Sequence, residues 1–167
     1  RTKDELPQSA SGTTIMTTEP KFVPKDAASV RLSEDVEVKI RLIDCVGYMV
    51  DGASGHIEND VERQVKTPWF EHEIPFTKAA AQKVIHDHAT IGLVITTDGS
   101  IGELPRENYI LAEEKTIQEL KSIGKPFLIL LNTQKPYSEE TKSLQGKMEE
   151  KYGVSVLAVN CAQLRTE

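Results

Sequence analysis

The sequence predicts an α/β domain with a mostly parallel sheet and flanking helices, and three observations carry that prediction. Its second half contains three short apolar runs, 89–97 (ATIGLVITT), 126–131 (PFLILL) and 154–159 (VSVLAV), each the length and composition of a strand buried on both faces. Between them lie two segments of helical period, and strand–helix repeats of this kind mean parallel strands joined by crossovers, with helices covering both faces. The third observation is upstream. Val36, Val38, Ile40 and Leu42 alternate with Glu37, Lys39 and Arg41, the period of a half-buried strand, and the strand ends on Asp44 with Gly47 three residues on.

Taken in order, residues 1–25 are polar and rich in Thr, Ser, Pro and Gly, with a short helical end at 1–6 stopped by Pro7 and a loop over 9–20. Residues 29–32 and 36–44 flank Ser33-Glu34-Asp35, a spacing that predicts an antiparallel hairpin. From Tyr48 to Thr77 periodicity is lost, and Gly52, Gly55, Pro68 and Pro75 read as a long loop around the single Trp69. An Ala-rich helix is predicted over 78–88. The next helix, 103–123, places Tyr109, Ala112, Ile117, Leu120 and Ile123 on one side and Glu107, Glu113, Glu114 and Lys121 in solvent, with Gly124 as its stop. Ser138 is the expected N-cap of a helix with Leu144, Met148 and Tyr152 on its inner face, closed by Gly153.

Composition narrows the partners. The chain has 167 residues, enough for one domain (1–167) with a sizeable core, and is 38% hydrophobic and 28% charged. A net charge of −6 disfavours nucleic acid and anionic lipid as partners. No apolar run approaches the roughly 18–20 residues that span a bilayer. Cys45 and Cys161 form no disulfide framework, and a reduced, cytosolic setting is the default. Residue 1 is Arg, which is expected of a piece of a longer protein.

A carboxylate at a strand end followed by a turn glycine suits the phosphate end of a nucleotide site, where an Asp holds Mg²⁺ and a glycine N–H meets the γ-phosphate. The hairpin before Asp44 and the Thr-rich loop before the hairpin resemble the middle of a translation-factor-type P-loop NTPase. Thr17 or Thr18 would there ligate Mg²⁺ through a hydroxyl, although the same residues fit an ordinary polar loop. No Gly-x-x-x-x-Gly-Lys-Ser/Thr occurs, and Gly146-Lys147 is followed by Met148 inside a predicted helix. The fold is therefore expected without its first strand and phosphate loop, and the chain by itself without activity. Those missing parts would leave an unpaired gap between the strands 36–44 and 89–97.

A further landmark is Asn132-Thr133-Gln134-Lys135 after the second apolar strand. GTP-specific members carry Asn-Lys-x-Asp at this place, and Lys135 stands where their guanine-reading Asp would be. A lysine only donates, so guanine selectivity is not expected by this route and adenine fits. A plain strand-end turn fits the local residues equally. The histidines, with His86 and His88 two apart, do not have the spacing of a metal site. Cys45 is read as a small buried residue.

Longer blocks carry a more specific resemblance. Residues 4–10 (DELPQSA), 14–24 (TIMTTEPKFVP), 40–48 (IRLIDCVGY), 67–69 (TPW) and 90–99 (TIGLVITTDG) are similar to the stage IV sporulation protein A family of spore-coat morphogenetic ATPases. The resemblance runs from Arg1 to Glu167. It implies a nucleotide site that takes ATP with Mg²⁺, in which Thr17 and Thr18 are sensor threonines, Asp44 holds the metal and Gly47 senses the γ-phosphate. Asn132 and Thr133 fall at the base. It also implies hydrolysis-driven self-assembly into a homopolymer, the basement layer of the spore coat. A small amphipathic peptide anchors that layer to the outer forespore membrane, on the mother-cell side, among other coat proteins. The alternatives are a non-hydrolysing coat scaffold and a regulatory GTPase.

Overall fold

A computed structural model describes residues 21–44, 48–52, 57–58, 61–62, 64–65, 72–75 and 89–164. They divide into two units, one holding the hairpin region and one holding residues 48–52 and 90–164. In the first unit, β1 (Lys21–Arg31) pairs antiparallel with β2 (Glu37–Asp44) around the predicted turn. That turn is closed by the amides of Leu32 and Ser33, both donating to the Val36 carbonyl. β1 is longer than the expected 29–32, and its register slips between Val23 and Ala28. Pro24 lies in that interval and has no N–H to give a ladder, so the break in pairing falls where the sequence cannot sustain it.

Within the predicted 48–77 loop there are two two-residue ladders. β3 (Ile57–Glu58) pairs with β4 (Val61–Glu62), and β5 (Gln64–Val65) with β6 (Ile74–Pro75). Strands this short leave no readable period in a sequence. The predicted helix 78–88 and Trp69 lie outside the described residues.

The second unit is built on a parallel sheet, β7 (Gly92–Thr97), β8 (Phe127–Asn132) and β9 (Val156–Val159), in the order 7-8-9. Its crossovers are α1 (Arg106–Ser122) and α2 (Glu139–Tyr152). The prediction of an α/β fold with a parallel sheet and flanking helices therefore holds. Helices on both faces do not follow for these strands. Two successive right-handed crossovers that step the same way across a sheet put both helices on one face. That face carries the core row Val94, Ile129 and Val156, in register across the three strands and at most 6% exposed. On the other face Ile91, Leu93, Ile95 and Leu157 are 64%, 46%, 62% and 50% exposed, so β7 is not buried on both sides as its composition suggests. Among the described residues β7 pairs with β8 alone and β2 with β1 alone.

The helix ends follow their sequence signals. Ser138 Oγ accepts from the Thr141 amide at 3.2 Å, and Gly153 closes α2 in the left-handed region, φ 65°. α1 begins at Arg106, three residues later than expected, because Pro105 holds the extended backbone of a cap. Gly92 lets α1 close on the sheet, since a Cβ there would stand 2.9 Å from Leu120 Cδ2 and from Phe127 Cβ. None of the described helices is long and apolar enough to cross a membrane.

Glu113, expected in solvent, is buried at 4% exposure. Its carboxylate takes both guanidinium nitrogens of Arg106, at 2.6 and 2.8 Å, and the Tyr152 hydroxyl at 2.6 Å. Arg106 also donates to Thr96 Oγ1 at 2.9 Å, so one ion pair joins both helices and β7. Burial pushes the Glu113 carboxyl up, but hydrogen bonds from Arg106, Tyr152 and Thr96 and the Arg106 charge outweigh it and hold it below its ordinary 4.5. A depressed folded-state value means the stabilisation is in place above 4.5 and is lost as pH falls through the lower folded value. Arg106→Met leaves a buried carboxylate without its cation and is expected to cost about 3–5 kcal/mol in urea unfolding at neutral pH. In Glu113→Gln the acid-side loss of stability should be shallower than in the parent protein. An unchanged urea midpoint for Arg106→Met would contradict the assignment.

Candidate functional site

Parallel pairing places the carboxyl ends of β7, β8 and β9 side by side, with Thr97 opposite Asn132 and Asn132 opposite Val159. In an open α/β sheet that edge is where ligands bind. Three loops meet there, 98–105, 132–138 and 160–164.

The first loop starts with Asp98. Its Oδ1 accepts from the Ser100 amide at 2.9 Å and the Ser100 hydroxyl at 2.5 Å, an Asx-type turn. Its Oδ2 accepts from the Thr133 hydroxyl at 2.5 Å, which crosses to the second loop. Partial burial raises the Asp98 carboxyl, and the bonds from Ser100 and Thr133 more than reverse this, so it sits below the usual carboxylate range. Gly99, at φ 87°, carries the chain on, and a Cβ at that position would stand 2.8 Å from the Arg106 amide.

The second loop is fastened on both flanks. Toward the first loop, Gln134 donates its amide to Ser100 Oγ at 2.9 Å and its side-chain nitrogen to the Ser100 carbonyl at 2.7 Å. Thr133 Oγ1 accepts from the Lys135 amide at 3.1 Å, and Thr133 is wholly buried. Toward the third loop, the Thr133 amide donates to the Val159 carbonyl at 2.9 Å, and Asn132 Oδ1 accepts from the Cys161 amide at 3.0 Å. Asn160 Oδ1 accepts from the Ala162 amide at 3.1 Å and caps the short 3-10 turn Cys161–Gln163. Lys135 and Tyr137 are exposed, the latter at 87%.

This edge can present backbone amides, carbonyls and a lysine to a planar heterocycle. Guanine's N1–H and amino group both donate, and residues 132–138 and 160–164 contain no carboxylate to accept from them. In the first loop both oxygens of Asp98 are engaged within the protein, and Glu103 is exposed.

Of the residues singled out from sequence, Asn132 and Thr133 lie together at this edge. Asp44 is the last residue of β2, in the other unit, where its backbone pairs with Lys21. Thr17, Thr18 and Gly47 lie outside the described residues. Among the described residues no group of three His, Cys, Asp or Glu side chains gathers as a metal site. The sequence reading names Gln134 only within the Asn132–Lys135 landmark and gives no role to Asp98, Ser100 or Asn160. The available signal is Asp98-Gly99-Ser100, an acid and a turn glycine that close an apolar strand, as Asp44 closes another with Gly47 three residues on.

Relatives agree with this placement of the chain among nucleotide-using domains. Residues 1–167 match the family model described as Stage IV sporulation protein A, ATPase domain. Proteins named Stage IV sporulation protein A are 53% identical in Bacillus anthracis and 52% in Bacillus subtilis, each over 168 residues. The one from Clostridioides difficile is 51% identical over 170 residues. These alignments cover 99–100% of this chain but 34–35% of the relatives, so the chain spans about a third of their length. No solved structure matches. The chain belongs to the stage IV sporulation protein A family, as a match to its ATPase domain.

Proposed function

We propose that the chain is the nucleotide-binding part of a sporulation ATP hydrolase, and that ATP turnover drives self-assembly of the basement layer of the spore coat. The observation that carries this reading is the match of all 167 residues to an ATPase-domain family, and the names of the relatives support the sporulation role. The partners are further copies of the same protein, a small amphipathic membrane-anchoring peptide and other coat proteins. The place is the mother-cell side of the outer forespore membrane.

In this reading the base lies on the edge formed by residues 132–135 and 160–162. Mg²⁺, when bound, supplies charge to the β- and γ-phosphate oxygens. Thr17, Thr18 and Asp44 would hold it, and hard hydroxyl and carboxylate oxygens suit that ion. Gly47 would sense the γ-phosphate. Lys135 fits adenine better than guanine, because a lysine only donates and cannot accept from guanine's own donors.

Three outcomes test the reading. In the full-length protein, Asp44→Ala lowers ATP turnover by roughly a hundredfold or more, with the thermal midpoint unchanged; turnover at the parental rate would refute the metal role. Lys135→Asp supplies the missing acceptor and shifts the GTP-to-ATP affinity ratio toward GTP by roughly ten- to a hundredfold. No shift in competition binding would place the base elsewhere. The 167-residue chain, which has no Gly-x-x-x-x-Gly-Lys-Ser/Thr, should release no phosphate from ATP in an assay where the full-length protein does.

A further inference from the structure

The Asp98 carboxylate at the carboxyl edge of the sheet is part-buried and bonded on both oxygens within the protein. Its oxygens receive three hydrogen bonds, from the Ser100 amide, the Ser100 hydroxyl and the Thr133 hydroxyl, at 2.9, 2.5 and 2.5 Å. Each of the two hydroxyls has a second task. Ser100 Oγ accepts from the Gln134 amide, and Thr133 Oγ1 accepts from the Lys135 amide. Two hydroxyls thus relay a single carboxylate to two consecutive backbone amides of the loop 132–138. Charge-assisted bonds of this length are among the stronger and more directional in proteins.

From this we infer that Asp98, acting through Thr133 and Ser100, is a positioning residue that presets the backbone of residues 133–135 to receive the nucleotide base. The inference rests on the nucleotide reading above and adds to it a residue that does not touch the ligand. The chemistry is specific to an ionised acid. An asparagine at 98 keeps one acceptor for Ser100, but its amide nitrogen would face the Thr133 hydroxyl and leave that hydroxyl without an acceptor. A valine at 133 removes the relay while keeping nearly the same volume. A serine at 133 keeps the relay and removes only a methyl group.

The test uses the full-length protein with Mg²⁺ and two probes, ATP and inorganic tripolyphosphate. The second engages the phosphate half of a nucleotide site and leaves the base half empty. Asp98→Asn and Thr133→Val should each weaken ATP binding roughly tenfold, the equivalent of one good hydrogen-bonded contact. Tripolyphosphate binding should not change, and Thr133→Ser should bind ATP like the parent. Should Asp98→Asn fail to fold, the Thr133→Val and Thr133→Ser pair decides the matter alone. ATP affinity unchanged in the variants overturns the positioning role. So does a parallel loss of ATP and tripolyphosphate affinity, which would make the network a general structural one. If the parent protein binds ATP no more tightly than tripolyphosphate, there is no base subsite at this edge, and the nucleotide reading falls together with this one.

Discussion

Parallel pairing of β7, β8 and β9 is the constraint on which the rest of the second unit depends. Parallel strands cannot be joined by tight turns, so each exit must be followed by a crossover, and here both crossovers are helices. The same step direction twice places α1 and α2 on one face and brings three strand exits to one edge. Everything that recommends the site follows from that edge. The loops at 98, 132 and 160 come together because their strands are in register, and their side chains then have neighbours to bond. Asn132 reaching the Cys161 amide and Thr133 reaching Asp98 are consequences of alignment, since residues 29 and 35 apart in sequence have become adjacent exits.

The core beneath this edge combines an apolar row with a charged clasp. Val94, Ile129 and Val156 supply burial, while Arg106, Glu113, Tyr152 and Thr96 tie α1, α2 and β7 together. Such a clasp adds little net stability over apolar packing of the same volume, but losing one partner is costly. It also fixes the start of α1, because Arg106 is the first residue of that helix and is held to the strand below. The loop carrying Asp98 and Ser100 runs directly into this fixed point. Further along, Gln145 Nε2 donates to the Val156 carbonyl and Glu149 Oε1 accepts from the Val156 amide, so α2 sets the start of β9 in the same way.

How much of this was legible depended on the range of the interaction. The three apolar runs, the Ser138 cap, the glycine stops at 124 and 153 and the hairpin turn at 33–35 are local signals, and each reappears in the structure. Glu113 was misread because its charge suggested solvent, and its cation lies two helical turns away, with a third partner on another helix. The exposed face of β7 was misread for a related reason. An apolar run says that a strand is meant to be covered, but not which segments of a structure cover it. The extra length of β1 and the short ladders within 48–77 depend on pairing partners and leave no period of their own. At the candidate site, Asn132 and Thr133 are singled out by their likeness to a nucleotide landmark. Asp98-Gly99 marks a strand end in the sequence, but the bond from Thr133 to Asp98 exists only once the β7 and β8 exits are neighbours.

We propose an adenine base on the edge formed by residues 132–135 and 160–162. Photolabelling the full-length protein with 8-azido-ATP, followed by peptide mapping, addresses it most directly. Labelling confined to the peptides that carry 132–137 and 160–164, and removed by excess ATP, is the predicted result. Label spread over other peptides, or label at this edge that excess ATP does not displace, would contradict it.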